Sequence, residues 1–513
     1  MITVDPDAMV TGALGAPEAA TFNPYREHVV IFPFVEPGDS IELVYRRERQ
    51  RGLMPDAFFI QHIFERRSLE RVEVTVTAPP GVALSHHESG LVATERESDG
   101  RRIYTWSSVA GDGLTRDANV VISTFSNQTE LAARYRRLED SRYAPSPDIS
   151  ALAQQIVAGI DFDRDRARAI FDWVRTNIRY VAVLLGSSNF LPNAPRTILD
   201  RRYGDCKDHA LILRLLLAAI GIESETVLVA AGAHYTIDWP PTAITLNHVI
   251  TYLPHFDLYV DSSIEFGRFD TLPIELYGKP TLHAGPSPRL GRAPALTADQ
   301  NVSELATTLA IDAEGRMTGR TEQRGRGPFG MMLRMLAGRI EARGANAVAA
   351  DQLRSLGWLG TGAFEQMTEE DSGGFYRIAG SFTLDRRTAD GQRMSLPTGL
   401  RLLVGPGEYL LNSERRVGTG KAMCFAGRQI ERITVALPER LTLSNVPRSR
   451  DVRTPVATYR AAFTLEPHQL TIERVFEVTV PGPVCSDADI AGGQTAITAA
   501  LEDGRHVYQF AAR

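Results

Sequence analysis

The chain has 513 residues, too many for one ordinary core, so two to four domains are expected. Hydrophobic residues make up 43% and charged residues 23%, the composition of a soluble globular protein. A net charge of -6 without a long basic run argues against nucleic-acid binding, and the longest apolar stretch, Ala210 to Ile222, is interrupted by Arg214 and too short to span a bilayer.

The start, Met1 to Pro6, has neither a basic nor an apolar leader segment, so as given it does not read as a secretory signal. Residues 1 to about 20 are rich in Ala, Gly and Pro and read as a loose lead-in. From Arg26 to Thr129 the pattern is β. Val29–Phe32 and Ser40–Tyr45 are predicted strands around the turn Glu36–Asp39, followed by Arg71–Thr77, Arg102–Trp106 and Val120–Thr124. Together they suggest a β-sandwich. His86 and His87 fall in a predicted loop without a third ligand and read as surface histidines.

Arg142 to Ser150 reads as a linker, with Asp148–Ser150 capping a helix that runs to Ile160. A second helix, Asp163 to Ile178, sets Ala167, Ile170, Phe171 and Val174 on one face. Gly186 to Pro195 is loop, and Arg196 to Tyr203 a short helix or turn. Next comes a polar turn, Tyr203-Gly204-Asp205-Cys206-Lys207-Asp208-His209, running straight into the apolar stretch that stops at Gly221. Asp205 suits an N-cap and Gly221 a left-handed C-cap, which puts Cys206 in the first turn of a buried helix. The unpaired N–H groups there favour a thiolate, and Lys207 adds a cation nearby.

Strands follow at Thr226–Ala230, Leu246–Leu253 and Leu258–Asp261, the last two joined by a tight turn at Pro254–Asp257. Gly267 to Pro294 reads as loop. Beyond it, Leu305–Ile311 pairs with Arg316–Gln323, helices are predicted near Met331–Arg343, Asn346–Leu356 and Ala488–Leu501, and further strands at Phe375–Leu384, Arg432–Ala436, Thr458–Leu465 and Leu470–Val480. Of the three cysteines, Cys424 and Cys485 are either a disulfide of an oxidising compartment or two buried thiols of a reducing one.

The predicted hairpin carries His248 and Asp261 on neighbouring strands. An imidazole can take a thiol proton and return one to a leaving group, and a carboxylate on its other nitrogen fixes the tautomer and steadies the imidazolium. Cys206, His248 and Asp261 are therefore the candidate catalytic residues. Asp205 and Asp208 read as a cap and a loop anchor that point away from the sulfur, because carboxylates beside it would oppose the thiolate. Cys206 and His209 have the spacing of half a zinc site, but no second pair follows, so no metal is expected and His209 reads as packed or solvated. An oxyanion hole would use the Cys206 N–H and one donor among Asn189, Asn193 and Tyr203. Asn247 is either a strand residue or a substrate-facing group, and Trp173 and Trp239 read as packing residues.

Gly204–Asp208, Leu246–Ile250 and Tyr259–Asp261 resemble the three signature blocks of the bacterial transglutaminase-like superfamily. Trp173-Val174, Ile178–Val181 and the proline-containing loop before the cysteine are similar too, over about residues 148 to 285. The layout resembles a subgroup in which a β-rich domain of unknown function precedes the core. The resemblance implies an α+β protein in three parts: an N-terminal β-sandwich-like domain at 1–141, a papain-like core at 142–290, and a β-rich C-terminal region with helical insertions at 291–513.

It further implies Cys206 as nucleophile, His248 as base and Asp261 as orienting acid of a cysteine-dependent peptidase, amidase or transglutaminase. Such an enzyme acts on peptide or protein amides through a thioester and needs no cofactor. The resemblance also implies a periplasmic or extracellular location. The family also includes members that keep the fold as a silent scaffold for a cell-surface or protein partner, the competing expectation here.

Overall fold

The structure, a computed structural model, describes residues 9–13, 26–32, 35–46, 48, 52–64, 71–108, 118–181, 190–370, 373–408, 422–480 and 482–513. The chain divides into two compact units: Met1–Val229 with Ile237–Glu265 and Thr281–Gly291, and Ala230–Thr236 with Phe266–Pro280 and Arg292–Arg513. Most of the predicted lead-in lies outside the described residues, but Met9–Ala13 (β1) pairs antiparallel with Arg26–Val30 (β2).

In the first unit, Phe59–Ile63 (β3), Glu73–Ala78 (β4), Ser85–Ser89 (β5), Val92–Ser98 (β6), Arg101–Ser107 (β7) and Asn119–Ser123 (β8) make two three-stranded sheets. Their orders are β3-β8-β5 and β4-β7-β6. Alternating residues of both sheets, Tyr104 and Trp106 from one and Val120 and Ile122 from the other, share one apolar cluster. His86 and His87 therefore sit on β5 and not in a loop, with His86 Nδ1 2.9 Å from Glu88 Oε2. Ser40–Tyr45 is not a strand: it has no pairing partner among the described residues, and Leu43 and Val44 are exposed. Alternation without a partner strand does not hold a strand in place.

The helix Gln128–Asp140 (α1) follows, where the β reading had no element. Asn127 caps it by accepting the Glu130 N–H at 2.8 Å. Its Leu131, Ala132 and Tyr135 join Leu228, Leu246 and Val249 in a single cluster. The next helix, Pro147–Ile156 (α2), is capped by Ser146 and not by Asp148, because the proline at its first position fixes the start two residues earlier. Asp163–Asn177 (α3) buries the four residues expected of it.

The core then runs through Arg179–Tyr180 (β9), Pro195–Arg201 (α4), Tyr203–Gly204 (β10) and Cys206–Ala219 (α5). It continues in the strands Glu225–Val229 (β11), His248–Leu253 (β12), Leu258–Val260 (β13), Pro280–His283 (β14) and Arg289–Arg292 (β15). These five strands form one sheet in the order β13-β12-β11-β14-β15. The stretch read as loop from Gly267 to Pro294 thus supplies two of its strands. Its prolines stand at the start of β14 and outside β15, where no ladder donor is lost. All of β11 is buried, as expected of a strand covered on both faces, and α5 packs against it and β12. Gly221 ends α5 at φ +81°, with the Ile222 N–H reaching back to the Leu217 carbonyl at 3.0 Å and the Gly221 N–H to Ala218 at 3.0 Å.

The second unit is built on Val302–Ile311 (β16), Arg316–Arg326 (β17), Gly360–Glu369 (β18) and Tyr376–Arg387 (β19), then Arg393–Met394 (β20), Ala422–Met423 (β21), Gly427–Ala436 (β22), Leu441–Leu443 (β23), Arg450–Arg453 (β24), Ala457–Glu466 (β25), Gln469–Val478 (β26), Val484–Cys485 (β27) and Tyr508–Ala512 (β28). Eight of them form the sheet β18-β19-β17-β16-β22-β26-β25-β24. Alternate residues of β16, β22 and β26 point into its core. Pro328–Arg343 (α6), Ala345–Ser355 (α7) and Asp487–Gly504 (α8) supply apolar residues to that same core. Cys424 and Cys485 are joined as a disulfide, which resolves the alternative left open by the sequence. No helix among the described residues is long and apolar enough to cross a membrane.

Candidate active site

Cys206 is the first helical residue of α5. Asp205 and Asp208 close a reciprocal capping box around it, the Asp205 Oδ1 accepting the Asp208 N–H at 3.4 Å and the Asp208 Oδ2 accepting the Asp205 N–H at 3.3 Å. Asp208 also takes the Asn193 backbone N–H at 2.7 Å and the Asn193 Nδ2 at 2.8 Å, which ties the preceding loop to the helix start. The expected anchoring role of Asp208 is met this way. Gly204 has to be glycine, because a Cβ there would lie 2.6 Å from the Asp208 Cβ.

Lys207 differs from expectation. Its ammonium is buried and pairs with Asp205 Oδ2, so it serves the cap. A buried carboxylate attracts the lysine ammonium more strongly than a half-exposed thiol does.

The imidazole of His248, on β12, and the carboxylate of Asp261, one residue past β13, meet as the hairpin reading required. His248 Nε2 lies 2.7 Å from Asp261 Oδ2, and both side chains are buried. The Cys206 thiol is close enough to the ring to influence its charge. The second oxygen of Asp261 accepts from the Ser263 N–H at 3.1 Å and the Ser263 hydroxyl at 2.6 Å. Burial pushes the His248 pKa down, but the Asp261 charge, its hydrogen bond and Cys206 more than offset this and hold it well above its ordinary value. Burial likewise pushes Asp261 up, and His248 with the two Ser263 donors brings it below the usual carboxylate range. The three residues singled out from the sequence are thus neighbours.

Ser263 was not anticipated. The signal was the Asp261-Ser262-Ser263 run, in which an aspartate bonds the backbone two residues on. Tyr135 was missed along with α1. It is fully buried, packs in the same cluster as Cys206, and its hydroxyl has no hydrogen-bond partner among the described residues. Tyr180 is 41% exposed; burial first, then the charges of Cys206, Asp205 and Asp261, raise its hydroxyl pKa.

Among the proposed oxyanion donors, the Asn193 side chain is engaged by Asp208, Tyr203 sits in β10, and Asn189 lies outside the described residues. His209 is buried, and desolvation pushes its pKa down to about 4. No group of three or more potential metal ligands occurs among the described residues. Asn247 is exposed, Trp239 is half-exposed in its loop, and Arg202 lies over the Trp173 ring at 5.2 Å.

Arg214, the charge interrupting the apolar helix, is explained by α1. It donates to Glu139 at 2.5 Å and to the Thr226 hydroxyl at 2.9 Å, and so joins α1, α5 and β11 through buried charges.

Residues 150–251 match the model of the transglutaminase-like superfamily, which takes in Cys206 and His248 but stops short of Asp261. Residues 1–110 match a domain of unknown function with solved structure, DUF3857. No curated protein matches the chain. A "putative protease" from Parabacteroides distasonis ATCC 8503 is similar in fold, with a TM-score of 0.60 at 16% identity over 100% of this chain and 86% of that one. A "putative cysteine protease" from Cytophaga hutchinsonii matches 42% of this chain and 68% of its own, at 16% identity and a TM-score of 0.20. Residues 150–251 therefore resemble a transglutaminase-like superfamily core and residues 1–110 a DUF3857 domain, in an α+β protein.

Proposed function

We propose that the chain is a cysteine-dependent acyl-transfer enzyme acting on peptide or protein amides, with Cys206 as nucleophile, His248 as general base and then acid, and Asp261 as the group that orients and charges the imidazole. The observation that carries this reading is the buried 2.7 Å contact between His248 Nε2 and Asp261 Oδ2, which leaves the other ring nitrogen to the thiol at the start of α5.

Geometry of this kind supports a two-step reaction. His248 takes the thiol proton as the sulfur attacks the amide carbonyl carbon. The carbon–nitrogen bond then breaks as the imidazolium gives that proton to the departing amine, which leaves a thioester on Cys206. Water or a second amine attacks the thioester with His248 again as base, and the sulfur leaves and recovers its proton. Negative charge on the carbonyl oxygen falls near the unpaired N–H groups of the first helical turn, the Cys206 N–H among them.

Hydrolysis is the default outcome, because transfer to an amine requires that water be kept out. Mass spectrometry of a peptide library incubated with and without an added primary amine separates the two. Cleaved or deamidated products alone support hydrolysis, amine adducts support transfer, and neither product with a folded protein supports the scaffold reading.

The division of labour proposed with this activity is a β-sandwich at 1–141, the catalytic core at 142–290 and a β-rich region at 291–513. The cluster shared by the two N-terminal sheets supports the sandwich. The Cys424–Cys485 disulfide supports a periplasmic or extracellular location, since such bonds persist in oxidising compartments.

A further inference from the structure

The C-terminal unit holds a cavity of about 160 Å³ whose lining is chemically divided. Leu356, Trp358 and Leu396 contribute apolar surface, and Arg401, Arg474, Arg505, Glu408 and Glu431 charges of both signs. Glu431 is 1% exposed, and its Oε2 accepts a hydrogen bond from Arg474 Nη1 at 2.6 Å. Its Oε1 has no hydrogen-bond partner among the described residues, and Arg401 Nη1 stands 4.0 Å away, beyond hydrogen-bond reach. The other Arg401 nitrogen is 3.6 Å from Glu408 Oε2, an oxygen that already accepts the Gly405 N–H at 2.8 Å. A buried carboxylate oxygen and a guanidinium fork thus face one space without closing on each other, an arrangement that is costly unless something fills it.

We infer that this cavity binds a free α-amino acid, its ammonium on Glu431 Oε1, its carboxylate on Arg401 and an aliphatic side chain against Trp358 and Leu396. The charge pattern selects a zwitterion. A simple anion drawn to Arg401 meets the Glu408 and Glu431 carboxylates, and a simple amine drawn to those meets Arg401, Arg474 and Arg505. Only a ligand with both signs a few ångströms apart satisfies both groups. Gly405 is part of the design, because a Cβ there would lie 2.3 Å from Arg401 Nη1 and push the guanidinium aside. The inference does not depend on chemistry at Cys206.

The test is isothermal titration of the full chain with L-leucine, N-acetyl-L-leucine and L-leucinamide, the last two each lacking one charge. Leucine is expected to bind saturably, with each analogue weaker by about tenfold or more. Binding should be lost in Arg401→Met, weakened in Gly405→Ala, and unchanged after Cys206 is alkylated with iodoacetamide. Thermal melting checks folding, and if Arg401→Met does not fold, Gly405→Ala decides. Absence of a saturable signal up to about 10 mM leucine would leave the cavity to water alone and overturn the inference. So would equal binding of the three compounds, or binding that survives both substitutions or disappears on alkylation.

Discussion

Asp261 faces His248 across 2.7 Å with one oxygen while Ser263 fills the other with two donors, so the carboxylate has no freedom to turn away from the imidazole. Replacing it with asparagine keeps the shape but removes the charge that raises His248. The expected result for Asp261→Asn is a fall of about 10³–10⁴ in turnover of an amide substrate, with the His248 pKa lowered in an NMR titration. Ser263→Ala keeps the backbone donor and loses the hydroxyl. Turnover should fall by about tenfold, which is the scale of one charge-assisted hydrogen bond.

The same pair sets a window of pH for stability. The folded pKa of His248 is raised, so its contribution is complete below the unfolded value of about 6.5 and is lost as pH rises through the folded value. Asp261 is lowered, so its contribution is present above about 3.9 and is lost as pH falls through the folded value. Urea unfolding from acid to alkaline pH should therefore show the difference between wild type and His248→Gln shrinking on the alkaline side. A constant difference would mean that the imidazole does not titrate with folding.

Glu139 and Arg214 link the helix α1 to the cysteine-bearing helix α5 through buried charges. Removing one partner strands the other. Glu139→Ala should cost about 3–5 kcal/mol in chemical denaturation, whereas breaking a surface pair such as Arg196 with Asp200 should have little effect.

Tyr135 presents the opposite case. Its buried hydroxyl has no partner among the described residues, so Tyr135→Phe should be neutral or stabilising by about 1 kcal/mol in thermal or urea unfolding. A marked loss of stability would show that the hydroxyl is satisfied by an ordered water.

The helix of Cys206, the hairpin of His248 and Asp261 and the glycine stop at 221 were legible in the sequence because each rests on local rules: a cap, an apolar run of helical length and two β segments joined by a short turn. Elements that depend on partners far along the chain were not. Ser40–Tyr45 alternates like a strand yet finds no neighbour among the described residues, and β14 and β15 look like loop until β11 pairs with the first of them. Helix α1 had its own local signal, Asn127 followed by Glu130, at the point where the β pattern ends, and it was not read. Lys207 shows the limit of reasoning from neighbours in sequence: it flanks the thiol along the chain and yet pairs with Asp205. Arg214 marked its place as an interruption, and only the fold identifies Glu139 as the reason.

The most direct measurement is the rate at which iodoacetamide alkylates Cys206, followed by mass spectrometry near pH 6.5, in wild type and in His248→Ala. Alkylation faster than that of a free cysteine, slowed by about tenfold or more in the variant, is expected if sulfur and imidazole act together. Equal rates in the two proteins, both no faster than free cysteine, would contradict it.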